Sequence, residues 1–200
     1  MDFTRRPWNT AVVVWWLRYR IRRARRDDLP LLALIERAAA SRFAAIGRTD
    51  ALAVTTPPEI FEARQATGRL WVAAERGQRP VGFVFVTLID GAVHVEELDV
   101  LPAHGRRGLG TLLTLRACRW AATAGAPRVT LSTYRSVPWN MPFYRRLGFE
   151  ELPESSWTPG LARLHRAERG AGLNVADRLF MVKPLTKKTP LPKSRSCATL

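Results

Sequence analysis

Residues 94–111 read HVEELDVLPAHGRRGLGT and set two kinds of chemistry side by side. The first half carries His94, Glu96, Glu97 and Asp99, side chains of the types that take and give protons. The second half carries the small-residue turn Gly105-Arg-Arg-Gly-Leu-Gly110. An apolar stripe at helical spacing follows it: Leu112, Leu113, Ala117, Trp120, Ala121 and Ala124. A helix N-terminus offers about four backbone N–H groups without internal partners, and the positive end of the helix dipole. Glycines let such a backbone approach an anion closely, so the turn suits a pyrophosphate. The alternative is a tight turn before a helix with no ligand at all.

The elements around this stretch have to hold it still. Val93, Val95, Leu98, Val100 and Leu101 give the acidic segment the content of a largely buried strand, and Pro102 ends it. Strict alternation places His94, Glu96, Leu98 and Val100 on one face, and Val95, Glu97 and Asp99 on the other. Gly125-Ala-Pro127 stops the long helix, and VTLSTY at 129–134 is another strand. Upstream, residues 20–24 form a short strand. Asp27-Asp28 then caps a helix through Leu29, Leu32, Ile35, Ala39 and Phe43. Residues 47–58 read as a loop, and Pro58-Glu59 opens a helix that Gly68 closes. Strands at 70–75 and 80–89 form a hairpin, and Asp90-Gly91 is a second tight turn into the acidic strand. A polar, proline-containing region follows Phe149, then a helix over 161–171 and a last strand at 179–182. The predicted fold class is α/β in the α+β sense: a mixed, mainly antiparallel central sheet with helices on both faces.

The 200 residues suit one domain with extensions, and 46% apolar against 24% charged residues describe a globular chain with a real core. A formal charge of +15 invites a nucleic-acid reading, but the termini hold much of it. Residues 1–20 carry Arg5, Arg6, Arg18 and Arg20 against Asp2, and residues 186–200 carry Lys187, Lys188, Lys193 and Arg195 with no acid. A solvated basic face is the simpler reading, and no nucleic-acid partner is expected. Cys118 and Cys197 have no CxxC or metal-ligand partner, and the histidines are scattered, so no metal and a reducing, cytoplasmic setting are expected. The apolar run AVVVWWL at 11–17 is far short of the roughly 20 residues of a membrane span. The expected organisation is an extension at 1–19, a domain at 20–185 and a basic disordered tail at 186–200.

A second motif, VPWNMPFYRRLGF at 137–149, combines with the turn. Together they resemble the GNAT superfamily of acyl-CoA-dependent N-acetyltransferases, and the resemblance extends over residues 20–185. Gly108 and Gly110 take the small positions of that family's (Gln/Arg)-x-x-Gly-x-(Gly/Ala) pyrophosphate loop. Asn140, Tyr144 and Gly148-Phe149 match its later signature, and the opening strand with Arg-Asp-Asp-Leu-Pro is also similar. Gly105 stands where the family carries Gln or Arg. Arg106 and Arg107 keep positive charge at the turn, and backbone amides supply most of the grip, so the change weakens the site without abolishing it.

The resemblance implies an N-acetyltransferase with acetyl-CoA as cosubstrate and no metal. Acetyl-CoA would be bound by Leu98, Val100, Arg106, Arg107, Gly108, Leu109, Gly110, Thr111 and Asn140. A backbone N–H of Val100 or Leu98 would polarise the thioester. The family places its base on the strand face continuous with Val100, which selects Glu96 first and His94 second; Glu97 and Asp99 then read as structural or surface acids. Tyr144 is the expected acid for the leaving thiolate. Asn140 would bond the pantetheine arm or cap a helix, and Trp139 would pack or wall the acceptor pocket. The first two helices and their loop would line that pocket. The expected acceptor is a primary amine of a small molecule, acetylated by direct attack. The alternatives are a protein N-terminus or lysine, or a non-catalytic acyl-CoA-binding module. No membrane partner is expected, and a homodimer is compatible with the sequence.

Overall fold

The computed structural model describes residues 18–185. The run at 11–17 and the basic stretch at 186–200 lie outside the described residues, as does Cys197. Seven strands form one sheet in the order β1-β2-β3-β4-β5-β7-β6: β1 (Tyr19–Arg23), β2 (Leu70–Glu75), β3 (Pro80–Ile89), β4 (Ala92–Val100), β5 (Arg128–Tyr134), β6 (Glu150–Leu152) and β7 (Arg178–Pro184). All neighbours are antiparallel except β4 and β5. The helices are α1 (Leu29–Ala44), α2 (Asp50–Ala53), α3 (Pro58–Ala66), α4 (Leu109–Thr123), α5 (Asn140–Arg146) and α6 (Pro159–Gly170).

Each face of the sheet buries its own helices. Leu109, Leu113, Ala117 and Ala121 press the stripe of α4 onto Trp71, Val84, Val86, Val93, Val95 and Val129. On the other face Leu32 and Ile35 of α1 and Phe61 of α3 cover Leu70, Val72, Phe83 and Phe85. Cys118 is buried beside the first cluster. Two apolar faces with helices on both sides make β2 and β3 nearly continuous hydrophobic runs. A smaller cluster of Leu152, Leu161 and Phe180 seats α6 at the far edge.

Two irregularities of the sheet shape the site. Phe85 faces Glu97 across β3–β4 while Val86 faces Val95, so Glu96 is an extra residue on β4, a β-bulge. The alternation expected along residues 94–100 is therefore wrong past Val95. Val93, Val95, Leu98 and Val100 share the α4 face, whereas Glu97 and Asp99 pair with Phe85 and Phe83 and share the α1 face. Secondly, β4 and β5 pair only at Val93–Val129, His94–Thr130 and Val95–Leu131. Beyond that point the two parallel strands part, and their ends form a wedge-shaped gap.

The structure adds elements to the predicted set. Strand β6 lies in the region after Phe149 read as polar and irregular, and the loop at 47–58 contains α2. Asp27-Asp28 belongs to a short 3-10 turn ahead of α1, where the Asp28 carboxylate accepts from the Arg25 N–H at 2.7 Å and from the Arg22 guanidinium.

Candidate active site

Two clefts meet in the gap between β4 and β5. One, about 180 Å³, is lined by Leu98, Asp99, Val100, His104, Gly105, Arg106, Gly108, Leu109, Gly110, Trp139, Asn140, Phe143 and Tyr144, with Ala39, Arg42 and Phe43 of α1 above. The other, also about 180 Å³, is lined by Glu36, Ala40 and Phe43 of α1, Ala51, Val54, residues 95–99, residues 131–134, Asn140, Tyr144, Leu173 and Arg178. Leu98, Asp99, Asn140, Tyr144 and Phe43 line both. The join is therefore the place where a reaction between two bound molecules would occur.

The first cleft is built for an anion at one end. Gly108, at φ +77°, is the N-cap of α4 and supplies no side-chain cap, so the amides of Leu109, Gly110 and Thr111 leave the helix without intrahelical acceptors. Arg106 is also left-handed, at φ +56°, so successive amides curl toward the cleft. A β-carbon on Gly110 would touch the Phe143 ring at 3.4 Å, which shows how closely α5 approaches this turn. Such a row of amides suits an anionic group such as a diphosphate. Of the residues expected to hold the cosubstrate, Leu98, Val100, Arg106, Gly108, Leu109, Gly110 and Asn140 line the cleft. The guanidinium of Arg107 turns aside to donate to Tyr19 Oη, which is also bonded to His104 Nδ1 at 2.9 Å.

Asn140 Nδ2 donates to Thr133 Oγ1 at 2.8 Å, tying α5 to the tip of β5. One turn later Tyr144 packs edge-on against Phe143 and Phe149, with centroids 4.9 and 5.9 Å away. Burial, then the charges of Glu97 and Asp99, raise the Tyr144 phenol above its ordinary range, so it keeps its proton at neutral pH.

The second cleft is acidic. Burial, reinforced by Glu36, raises Glu97 to about 7, even though its Oε1 accepts from the Leu98 N–H at 3.3 Å. Burial and the neighbouring charges of Glu97 and Glu36 lift Asp99 well above the usual carboxylate range. Glu36 is raised by burial as well, against the pull of the Thr56 N–H and hydroxyl, which bond it at 3.0 and 2.8 Å. Arg178 is the nearby cation, but Glu168 holds it through Nε and NH2 at 3.0 and 2.9 Å, and it stacks on Tyr134 at 4.8 Å.

The roof of this cleft is the segment read as a plain loop. Arg48 bonds Asp177 and Ser136; Asp50 accepts from Tyr134 Oη and from the Asn174 N–H, both at 3.0 Å. Phe43 meets Tyr134 at 5.9 Å and Trp139 at 6.1 Å. These ties hold the segment above the ends of β4 and β5.

The two residues ranked first for the base lie elsewhere than expected. Glu96, the bulge residue, is exposed at the rim, where Arg64 of α3 holds it through Nε and NH2 at 3.0 and 2.8 Å. His94 is 2% exposed, bonded to Thr130 Oγ1 at 2.9 Å and edge-on to Phe180. Burial, with help from Arg178, drops its pKa to about 3. It lines neither cleft and is a neutral core side chain. Glu97 and Asp99, read from the sequence as structural or surface acids, are the ones the bulge turns into the site. Glu36 was open to detection: an acid lodged among Leu32, Ile35 and Ala39 on the buried stripe of α1 needs a reason to be there. Among the described residues no cluster of His, Cys, Asp or Glu is placed to hold a metal ion, and no helix is long and apolar enough to cross a membrane.

A mixed sheet parted between two parallel strands, with an anion cradle leading to a protonated phenol and a buried acid, is the site of an acyltransferase. The chain belongs to the acetyltransferase (GNAT) family, which it matches over residues 31–149. Among solved structures it is similar to the PaiA N-acetyltransferase of Thermoplasma acidophilum in complex with coenzyme A. That match has 17% identity and a TM-score of 0.62, over 84% of this chain and 99% of that one. It is also similar to the ribosomal-protein-S18-alanine N-acetyltransferase of Escherichia coli, with 17% identity and a TM-score of 0.59, over 84% and 94%. The N-acetylglutamate synthase of Neisseria gonorrhoeae, complexed with coenzyme A and N-acetyl-glutamate, matches with 18% identity and a TM-score of 0.64. The match covers 84% of this chain but 35% of that one. At these identities the likeness is one of fold, and the named acceptors differ so widely that the fold does not choose among them.

Proposed function

We propose that the protein transfers the acetyl group of acetyl-CoA to a primary amine of a small molecule, by direct attack within a ternary complex. The observation that carries this reading is the meeting of the two clefts at Leu98, Asp99, Asn140 and Tyr144. The diphosphate lies on the amides from Arg106 to Thr111, and the pantetheine runs between the α4 turn and α5 past Asn140. The thioester lies against the backbone of Leu98 and Val100, where the Val100 N–H stabilises charge on the carbonyl oxygen, the Leu98 N–H being bonded to Glu97 Oε1.

Glu97 is the general base in this reading. Its raised pKa suits removal of a proton near neutrality, and it lines the acceptor cleft, whereas Glu96 at the rim of that cleft is held by Arg64 and His94 lines neither cleft. The amine nitrogen forms its bond to the carbonyl carbon, the carbon–sulfur bond breaks, and the nitrogen's extra proton goes to Glu97. Tyr144 protonates the departing thiolate. Passing the proton from Glu97 to Tyr144 through water restores both groups.

A cleft of about 180 Å³ under the tied segment favours a small acceptor over a protein tail. The test is thiol release from acetyl-CoA with a panel of small amines and lysine-containing peptides, alongside calorimetric titration with coenzyme A. Turnover of small amines supports the reading. Turnover of peptides alone would overturn the acceptor class, and tight coenzyme binding with no turnover would make the chain a binding module.

A further inference from the structure

The acceptor cleft holds more carboxyl groups than proton abstraction needs. Glu36 comes from α1, and Glu97 and Asp99 from β4, and all three line one cavity of about 180 Å³. Among the described residues none of the three forms an ion pair; the charge of Arg178 reaches Glu97, but Glu168 holds its guanidinium. Glu36 is bonded only by the neutral groups of Thr56, and Asp99, 8% exposed, has no side-chain hydrogen bond. The other charges at the cleft are already matched, Glu96 by Arg64 and Arg178 by Glu168. Among the described residues no group of acids is placed to hold a metal ion; Glu36 enters the cavity from α1, and Glu97 and Asp99 enter it from β4.

A buried carboxylate without a partner is costly, and a bound cation removes the cost. The reacting amine cannot be that cation, because its nitrogen must be neutral when it attacks. A second positive group, one that stays charged through the reaction, is what the surplus acids can hold.

Building on the acetyltransferase reading, we infer that the acceptor is a dication. Its reacting nitrogen sits beside Glu97 and Asp99, where the two clefts join, and its second ammonium group sits against Glu36 under the Thr56 segment. Asp99 lines both clefts and Glu36 only the acceptor side, which sets this direction. The cavity is small, about 180 Å³, so the linker between the two charges is a short, slender aliphatic chain.

Initial rates with putrescine, butylamine and γ-aminobutyrate test this directly, since the three share a four-carbon chain and differ at the far end. With the wild-type protein, kcat/KM for putrescine should exceed that for butylamine by about tenfold or more, mainly through KM, and γ-aminobutyrate should be the poorest. Glu36→Gln keeps an acceptor for the Thr56 N–H, and a thermal melt verifies its fold; in it the putrescine-to-butylamine ratio should collapse toward unity. Butylamine matching putrescine, or γ-aminobutyrate surpassing it, overturns the dication while leaving the acetyltransferase reading intact. Failure of every amine despite coenzyme A binding in calorimetry overturns that reading, and this inference with it.

Discussion

Glu96 and Glu97 are consecutive in the chain, yet one is ion-paired with Arg64 at the open rim and the other lies inside the cleft with its pKa raised to about 7. The β-bulge separates them: one extra residue on β4 shifts the side-chain parity, so the acid after the bulge takes the inward direction.

Their substitution therefore separates the two positions. Glu97→Gln should lower kcat by about 10²–10³-fold, whereas Glu96→Gln removes half of an exposed ion pair and should cost less than about tenfold. The raised acid is an active carboxylate above its pKa and an inactive carboxylic acid below it. The wild-type kcat/KM should thus rise as pH passes through about 7, and that limb should be missing from Glu97→Gln. Equal losses in the two variants would return the base to the rim.

Tyr144→Phe keeps the ring contacts with Phe143 and Phe149 and removes only the hydroxyl. We expect kcat to fall by about 10²-fold with the dissociation constant of coenzyme A little changed. Steady-state thiol release and calorimetry check the two halves of that statement.

Gly82 pairs with Val100, and a β-carbon there would lie 2.7 Å from the Asp99 carbonyl oxygen. Since the obstacle is backbone, Gly82→Ala has to push β4 toward the gap. It should destabilise the fold by about 1–3 kcal/mol, read by denaturant melts, and raise KM for acetyl-CoA by moving the Leu98–Val100 backbone.

His94 should be visible in the acid stability of the protein. Its pKa is about 3 in the fold against an ordinary 6.5. The unfolded chain therefore binds a proton that the native state refuses, and stability is lost as pH falls below about 6.5. The difference in unfolding free energy between wild type and His94→Asn should change by up to about 1.4 kcal/mol per pH unit between about pH 6 and 4. A flat difference would place His94 in contact with water.

The fold was legible because its signals are local. The Asp90-Gly91 turn, the glycine before α4 and the apolar stripes of α1 and α4 mark their elements directly, and the motif around Asn140 and Tyr144 fell on α5. The acidic strand β4 is harder to read. A bulge depends on how β3 pairs with β4, and nothing within residues 92–100 shows which residue is unpaired, so alternation chose Glu96 over Glu97. Strand β6 is three residues long, and its pairing with β7 comes from a distant part of the chain. The roof is likewise nonlocal: Arg48 finds Asp177, and Asp50 finds Asn174, only once the sheet has formed.

The parting of β4 from β5 leaves an edge in the middle of a sheet, a place where most proteins have none. Open edges elsewhere recruit stray strands and seed aggregation. Here the row of freed backbone groups is sunk between the first turn of α4 and the aromatic side of α5. The helices that flank the gap thus cover an unfinished ladder at the centre of the sheet, as loops or helices cover open edges elsewhere.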